Sequence, residues 1–214
     1  MEIVTWTLGP MENNVYLLYN ESEKSIVVDP SWNTNFILNE SKKYKPIGLI
    51  LLTHGHFDHS LSASKIKIAT GAEIWIHELD AAYLEWNVNK AKLEFGIDYP
   101  PTKADHTFVD GEIIKLGDEE IKVIHTPGHT PGGVCFFFDN ALIAGDTIFE
   151  GSVGRWDFTG GKGHTLMNSI QQKIAALDDD VIIYPGHGGC TTVGKERKYN
   201  PFMRGDAEAM GLFD

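Results

Sequence analysis

Short hydrophobic runs separated by turn residues dominate the start of the chain and predict a β-meander. Strands are expected at 3–7, 15–19 and 25–28, because Gly9-Pro10 and a later run of polar residues interrupt the apolar pattern. The chain therefore begins with three short strands joined by turns.

A helix and a buried strand follow the meander. Asn33 or Thr34 is expected to cap a short helix that continues to Lys43. Pro46 then restarts an extended chain. The segment 48–52 ends in an uninterrupted run of Leu and Ile. This run predicts a strand that is covered on both faces.

The pattern becomes less regular toward the middle of the chain. A helix is expected after His59, then a strand at 73–76 and a second helix around 81–84. Across 85–107 aromatic residues and prolines lie among charges without a clear period. This segment could cover a binding site. We favour a surface excursion with an apolar underside, because aromatic residues in loops usually anchor the loop to the core.

Strands resume in the second half of the chain. They are expected at 113–115, 121–124, 134–138, 142–144 and 181–184. A helix is expected before the last strand, because apolar residues recur there at intervals of three and four. We interpret this apolar stripe as part of the core, and it comprises Met167, Ile170, Ile174 and Leu177. Strands mixed with helices, without a linker or repeat, predict a layered α/β fold in one domain across 1–214.

Composition and charge narrow the classes of partner. A net charge of −12 over 214 residues, without a basic stripe, is unsuited to binding nucleic acid. Cys135 and Cys190 are too few for a disulfide framework. The N-terminus lacks the pattern of a secretory signal, and no apolar run approaches the roughly 20 residues that span a membrane. We therefore expect a cytoplasmic protein that binds a small molecule, and the oligomeric state stays open.

Candidate chemistry is concentrated in the hexapeptide at 54–59, which has the sequence HGHFDH and follows the predicted buried strand. Three of the nine histidines of the chain lie there, which indicates metal binding rather than a solvated loop. If the chain stays extended, His54 and His56 project to one side and can share one cation. Asp58 is either the N-cap of a helix that begins near His59 or, with His59, a ligand of a second cation.

Three later residues repeat this arrangement, since each follows an extended apolar segment and lies in a turn that contains glycine: His129, Asp146 and His187. His129 is preferred over His125, because Pro127-Gly128 excludes a helical pair and His125 ends the strand. The two oxygens of Asp146 allow this carboxylate to bridge two cations.

Together these residues predict a two-metal site. The ligands would divide into a first set of His54, His56 and His129, a second set of Asp58, His59 and His187, and Asp146 between them. Zinc is the default for imidazole and carboxylate ligands, and iron or manganese tolerate the same set. Two divalent cations would lower the pKa of a bridging water and present hydroxide, which Asp58 would orient.

The ordered segments HGHFDH, TPGH, GDT and PGHG resemble those of the metallo-β-lactamase superfamily. The segments GSVGRWDF at 151–158, TTVGKE at 191–196 and NPF at 200–202 make the chain similar to the short glyoxalase II-like hydrolases within that superfamily. The resemblance covers nearly the whole chain and implies a four-layer αββα sandwich with the metals at one edge between the sheets. It also implies hydrolysis of a thioester of the S-acylglutathione type, such as S-lactoylglutathione.

Two other activities share much of this pattern. Persulfide dioxygenases contain the same Gly-Arg-x-Asp-Phe segment and hold one iron, but they typically lack a glycine before the last histidine, so Gly186 favours the two-metal hydrolase. Lactonases for acyl-homoserine-type esters share the ligand pattern. Full-length glyoxalase II has a helical C-terminal region that contributes to glutathione binding, and this chain stops soon after Phe202. We therefore expect the resemblance to glyoxalase II to predict the type of reaction more reliably than the substrate.

Arg155 and Asp157 are the candidates for substrate contact, since they lie in the segment that follows Asp146. The interpretation we favour is a structural ion pair that braces this loop. Cys190 lies near His187, but the ligand set is complete without it. We interpret this thiol as a bystander.

Overall fold

The computed structural model describes residues 1–157 and 159–206. Phe158, which belongs to the segment GSVGRWDF, and residues 207–214, the end of the predicted domain, lie outside the described residues. Within the described ranges the strands form two six-stranded sheets. Helices cover the outer face of each sheet, so the two sheets face each other.

The first sheet has the spatial order β1-β2-β3-β4-β5-β6. Its strands span Glu2–Leu8, Asn13–Tyr19, Ser25–Val28, Ile47–Leu51, Glu73–His77 and His106–Phe108. The first three strands pair antiparallel, which confirms the β-meander, and β3 to β6 pair parallel. Parallel neighbours need crossover connections, and helices supply them here.

The second sheet has the spatial order β12-β11-β10-β9-β8-β7. Its strands β7 to β12 span Ile113–Leu116, Glu119–His125, Val134–Phe138, Ala141–Gly145, Ile182–Pro185 and Thr191–Thr192. Neighbours pair antiparallel except for β10 and β11, which are parallel. The strands predicted for this half are confirmed, and the two-residue β12 is an addition that no hydrophobic run indicates.

The α-helices frame the two sheets. Helices α1 to α7 span Thr34–Ser41, Phe57–Ser60, Ala63–Thr70, Ala81–Phe95, Gly163–Ser169, Val193–Tyr199 and Pro201–Arg204. A π-helical turn at Ile170–Ile174 continues α5, and Leu166, Ile170 and Ile174 are buried, which confirms that the apolar stripe is core. Among the described residues, no helix combines the length and the hydrophobicity needed to cross a bilayer.

Alternation along β2 explains the layering. Tyr16 and Leu18 pack in a core shared by both sheets, whereas Val15 and Leu17 pack under the helices of the first sheet. Successive side chains of a strand point to opposite faces, so one buried strand contributes to two layers. A further core, which includes Leu166, lies between the second sheet and α5. The order helix, sheet, sheet, helix confirms the predicted αββα sandwich.

The strands that carry the predicted ligands end at one edge of the sandwich. Strands β10 and β11 are parallel, and Gly145 pairs with Pro185, so the turns that follow both strands emerge side by side. At the same edge the amide of Val134 in β9 donates to the carbonyl of Thr53 at 2.8 Å. This bond joins the second sheet to the loop after β4, and turns from both sheets meet there.

The predictions at helix termini are confirmed only in part. Asp58 is not an N-cap, because α2 begins at Phe57 and the extended residue His56 (φ −67°, ψ 149°) precedes it. Asn33 occupies the N-cap position of α1, which is one of the two residues predicted for it, but it has a left-handed backbone (φ 61°) and makes no capping hydrogen bond through its side chain. Helix α1 ends before the predicted Lys43.

The segment 85–107 is more regular than its pattern indicates. Helix α4 extends to Phe95, and β6 forms at the end of the segment. The predicted apolar underside is present, because Ala91 and Tyr99 are buried in a small cluster with Phe57. Large apolar residues also lie on the exposed face of α4, which is why the helical period is hard to see in the sequence.

Candidate metal centre

The backbone of the hexapeptide changes conformation between its two pairs of polar residues. His54 and His56 precede α2, and their ring centroids lie 4.8 Å apart. Asp58 and His59 occupy α2 itself. The two pairs therefore lie on different types of backbone, and the ring of His54 remains beside that of His59, with centroids 4.2 Å apart.

The first set comprises His54, His56 and His129. Their candidate ligand nitrogens all lie within 4.8 Å of one another, and His56 Nδ1 is 3.0 Å from His129 Nε2. His54 and His129 are buried. Among the described residues His54 Nε2 has no hydrogen-bond partner, although it is shielded from solvent. The three rings thus converge on one point.

The second set comprises Asp58, His59 and His187, whose candidate ligand atoms also lie within 4.8 Å of one another. His59 Nε2 is 3.3 Å from His187 Nε2 and 3.5 Å from Asp58 Oδ2. The side chain of His59 is fully buried, whereas that of His187 is 26% exposed. The second set is therefore the more open of the two.

Asp146 lies between the sets. Its Oδ2 is 3.5 Å from His129 Nε2, and its Oδ1 is 3.4 Å from His59 Nε2. Oδ1 is buried without a hydrogen-bond partner in the part of the chain that the structure describes. Gly186 allows the turn after β11 to approach, because a Cβ there would collide with this carboxylate. Oδ2 is also 3.7 Å from His187 Nε2, so the carboxylate lies beside both sets, as expected of a bridging ligand.

These residues fit bound cations better than they fit a network of hydrogen bonds. Ring nitrogens of neighbouring histidines converge at 3.0 and 3.3 Å, and two buried polar atoms beside them lack partners within residues 1–157 and 159–206. Buried polar atoms in folded proteins are almost always paired. Imidazole nitrogens with carboxylate oxygens form a donor set that suits zinc, iron and manganese.

The two sets differ in their electrostatics. Burial, followed by the neighbouring histidine rings, lowers the pKa of His54 well below its usual value. Burial and His129 lower the pKa of His56 to about 3. Burial also acts to lower the pKa of His59, but the neighbouring carboxylates outweigh it and raise this pKa to about 10. His54 and His56 of the first set are therefore neutral imidazoles, whereas His59 of the second set lies among carboxylates.

Asp29 is a site residue that the sequence analysis missed. Its Oδ2 lies 2.9 Å from His59 Nδ1, and the carboxylate accepts hydrogen bonds from the amide and hydroxyl of Thr53 at 2.8 and 2.6 Å. Asp29 could also join His54 and His59 around a cation, but both its oxygens already accept these bonds. It therefore orients His59 from behind, as carboxylates beside metal-binding histidines do. Asp29 directly follows β3, and this position is the feature of the sequence that could identify it as a site residue.

A carboxylate at the start of α4 ties together the two loops of the first set. Asp80 accepts hydrogen bonds from the amide of Gly55 at 2.8 Å and from the amide of Gly132 at 2.6 Å. Further along α4, the side chain of Asn87 donates to the carbonyl of Gly55 at 2.8 Å. Helix α4 therefore sets the spacing between the hexapeptide and the loop after β8.

The second set is held by the start of β2. The Nδ2 of Asn13 donates to Asp58 Oδ2 at 2.9 Å, and Trp32 Nε1 donates to Asn13 Oδ1 at 3.2 Å, which fixes the orientation of the amide. Asn14 donates to two carbonyls on either side of His187, at 3.0 and 2.8 Å. Neither asparagine lies in a recognisable metal motif, so the sequence analysis did not find them.

The two candidates for substrate contact form an ion pair. The guanidinium of Arg155 donates two hydrogen bonds to the carboxylate of Asp157, at 2.9 and 2.8 Å, and both side chains are exposed. The carbonyl of Arg155 lies 2.6 Å from His129 Nδ1 and holds that ring in place. This geometry agrees with the structural ion pair that we favoured.

Two other residues near the ligands lie outside both sets. His125 stacks on His77 with ring centroids 4.2 Å apart, and its Nε2 lies 2.9 Å from the carbonyl of Pro131. Cys190 is exposed and belongs to none of the candidate metal groups found among the described residues. Both therefore have the supporting or bystander role expected of them.

A cleft of about 380 Å³ opens over the two sets. Its floor contains His56, Asp58, His129, Asp146 and His187. Apolar side chains form much of its wall, namely Met11, Phe57, Phe95, Phe149 and Val153. Because Lys90 and Glu94 of α4 also line the cleft, the segment 85–107 does contribute to the site, and the surface excursion that we favoured is wrong in this respect.

The family model of the metallo-beta-lactamase superfamily matches residues 8–187. That span contains both sets and Asp146. The chain belongs to the metallo-β-lactamase superfamily. Membership confirms the resemblance based on the four metal-binding segments, and it identifies a metal-dependent enzyme of the hydrolase type.

Relatives within the superfamily span nearly the same length. A hydroxyacylglutathione hydrolase named GloC from Haemophilus influenzae is 34% identical over 95% of this chain and 98% of its own. The probable metallo-hydrolase YqgX from Bacillus subtilis is 32% identical over 92% of this chain and 95% of its own. The resemblance to glyoxalase II-like hydrolases is thereby confirmed.

Solved structures of the superfamily share the fold closely. The BLEG-1 B3 metallo-β-lactamase superposes with a TM-score of 0.88 at 31% identity, covering 94% of this chain and 99% of its own. The protein TTHA1623 in a di-iron-bound form superposes with a TM-score of 0.84 at 31% identity, covering 93% and 99%. ETHE1 from Myxococcus xanthus, at 19% identity, a TM-score of 0.80 and coverage of 99% and 92%, shares the fold.

Proposed function

We propose that this protein is a two-metal hydrolase that cleaves a thioester of the S-acylglutathione type. The position of Asp146 carries the proposal. Its carboxylate lies 3.5 Å from His129 of the first set and 3.4 Å from His59 of the second, and residues of both sets form the floor of one cleft. A carboxylate shared between two cations is the arrangement used by binuclear hydrolases.

Each set would hold one divalent cation. The first set would supply three imidazole nitrogens, the second set two imidazoles and Asp58, and Asp146 would bridge them. Zinc is the metal we expect from these donors, and iron or manganese also suit them. The di-iron form of TTHA1623 is an example of iron in a related protein.

The chemistry of a thioester suits this site. Two bound cations lower the pKa of a shared water toward neutrality and so supply hydroxide. Asp58, held by Asn13 at 2.9 Å, would orient this nucleophile. A thiol has a pKa of about 8.5, so the thiolate leaves without a strong general acid. The rings of Phe57 and Phe95, 4.8 Å apart on the cleft wall, would keep bulk water from the bound acyl group.

The likeness to GloC supports the choice of substrate, because it extends over nearly the whole of both chains. BLEG-1, at 31% identity, is a B3 metallo-β-lactamase, so a β-lactam belongs among the competing substrates. A mononuclear iron persulfide dioxygenase and a lactonase are the other competitors, because they share the ligand pattern.

The test compares these substrates on one preparation whose metal content is measured first. The rates to compare are hydrolysis of S-lactoylglutathione, of a cephalosporin and of an acyl-homoserine lactone, and oxygen consumption with glutathione persulfide. We expect two metals per chain and a kcat/KM for the thioester at least roughly 100-fold above those of the other substrates. Protein treated with a chelator is the control and should be inactive.

Two results would overturn the proposal. One iron per chain with oxygen uptake would identify a dioxygenase. Faster cleavage of the lactam or the lactone than of the thioester would keep the metal hydrolase but reject the substrate.

A further inference from the structure

The cleft contains charged side chains that the metal centre does not use. Apart from the ligands, its charged lining residues are Lys90, Glu94 and Arg155. Arg155 forms a two-point ion pair with Asp157, and its carbonyl supports His129. Two further charged residues of the cleft lining, Lys90 and Glu94, are neither predicted metal ligands nor members of this ion pair.

Lys90 and Glu94 lie one helical turn apart on the cleft side of α4. Residues separated by four positions lie on the same face of a helix, so an ammonium and a carboxylate are presented together. Lys90 is half-buried, whereas Glu94 is exposed at the rim. An opposite pair of charges at the mouth of an apolar cleft is complementary to a ligand that itself carries both charges.

The position of this pair relative to the metal ligands is fixed by α4. Asn87 precedes Lys90 by one turn and donates to the carbonyl of Gly55, which lies between His54 and His56. Asp80 binds the amide of the same glycine. Because α4 is anchored at the hexapeptide, the charges of the pair lie at a set distance from the ligand floor.

Lys90 lines the cleft together with His56 of the first set and Asp58 of the second. Glu94 and Phe95 line the same cleft one turn further along. The cleft thus runs from the metal ligands, past apolar side chains, to a zwitterionic pair on α4.

We propose that Lys90 and Glu94 form the binding site for a zwitterionic amino-acid end of the thiol carrier. The ammonium of Lys90 would bind the carrier's α-carboxylate, and the carboxylate of Glu94 would bind its α-ammonium. The acyl end of the substrate would lie at the metal ligands. This inference rests on the proposed thioester hydrolysis and names the class of thiol that the cleft selects.

The experiment uses three thioesters that share the lactoyl group. The first is S-lactoylglutathione, the second carries an acetylated amino group on the same carrier, and the third is the uncharged S-lactoyl-N-acetylcysteamine. The variants are Lys90→Gln and Glu94→Gln. Lys92→Gln and Glu85→Gln are matched controls, because these exposed residues lie on α4 but do not line this cleft. Metal content of every variant is measured to confirm an intact centre.

Each variant has its own expected signature. Lys90→Gln should lower kcat/KM roughly tenfold for both carriers that keep the carboxylate, mainly through KM, since a charge-assisted hydrogen bond is lost. Glu94→Gln should lower kcat/KM only for S-lactoylglutathione, the substrate whose carrier has a free ammonium. Neither variant should change kcat/KM for S-lactoyl-N-acetylcysteamine by more than about twofold, and the controls should match the wild type on all three substrates.

The failures of the two proposals are distinguishable. If the wild-type protein hydrolyses none of the three thioesters, the proposed function itself fails. If it hydrolyses them but Lys90→Gln and Glu94→Gln lower kcat/KM equally for charged and uncharged carriers, or for none, the zwitterion site is overturned. In that case the pair only stabilises α4.

Discussion

The two halves of the metal centre have similar ligands but are held in different ways. The first set is held through the backbone of its loops, to which Asp80 and Asn87 bind. In the second set, Asp58 and His59 are held through their side chains, which contact Asn13 and Asp29, whereas Asn14 holds the turn around His187 through its backbone. Loss of a backbone anchor moves a whole loop, whereas loss of a contact to one side chain alters one ligand. The first half should therefore be more sensitive to the loss of Asp80 than the second half is to the loss of Asn13.

The halves also differ in access to solvent. Two histidines of the first set are buried, whereas His187 of the second set is 26% exposed on the cleft side. Asp146 is the carboxylate between the halves, since it lies near His129 of the first set and near His59 and His187 of the second. The comparison implies that substitutions at the bridge act on both halves, and that substitutions elsewhere act on one.

The largest effect is expected at the bridge. Asp146→Ala should lower metal content in both halves and reduce thioester hydrolysis by roughly 1,000-fold or more, since a charge-stabilising ligand is lost. Metal analysis and steady-state kinetics on the same preparation provide the measurement. Full activity with two metals retained would show that Asp146 does not bridge.

Asp80→Ala should selectively weaken the first half. Removing this carboxylate leaves the amides of Gly55 and Gly132 buried without their acceptor. We expect roughly 100-fold weaker binding of one of the two metals, the upper range for residues that support metal ligands. Chelator competition measures both affinities, and Asp118→Ala at an exposed site is the control. If the affinity for both metals fell equally, Asp80 would not support the first half selectively.

Asn13→Ala should weaken the second half, and less strongly. Asp58 loses one hydrogen bond of 2.9 Å but keeps its place on α2. About tenfold weaker binding of one metal is expected, with the other unchanged. The same chelator competition applies, with the exposed Asn39→Ala as control. A loss as large as that in Asp80→Ala would mean that side-chain and backbone supports are equivalent.

Asn87→Ala should have the smallest effect. The substitution removes one hydrogen bond to the carbonyl of Gly55, while Asp80 still holds the amide. We expect the free energy of unfolding of the metal-loaded protein to fall by about 1 kcal/mol, measured by denaturant titration. Metal affinity should change less than in Asp80→Ala. If Asn87→Ala weakened metal binding more than Asp80→Ala did, the carbonyl of Gly55 and not its amide would be the main anchor.

The sequence allowed the fold and the ligand set to be predicted for one reason. Each segment that carries ligands follows a hydrophobic strand, and turns with glycine mark where those strands end. The strands were therefore recognisable from alternation and apolar runs, and the ligands from their positions after them. The resemblance then supplied the arrangement of the layers.

The supporting residues could not be predicted in the same way. Asp80 binds Gly132 and Asn13 binds Asp58, contacts that span 52 and 45 positions along the chain. The first pair joins the two halves of the sandwich and the second lies within the first half, so both arise only in the folded chain and no local pattern encodes them. Helix α4 was cut short because its exposed face also carries apolar residues, such as Leu93 at 85% exposure.

Titration of metal-free protein with zinc, with S-lactoylglutathione hydrolysis followed at each step, tests most directly whether both halves act as one centre. If Asp146 joins two cations in a single hydrolytic site, activity should stay low through the first equivalent and reach its plateau at the second. Full thioester hydrolysis at one equivalent per chain, or none at two, would contradict a two-metal thioester hydrolase.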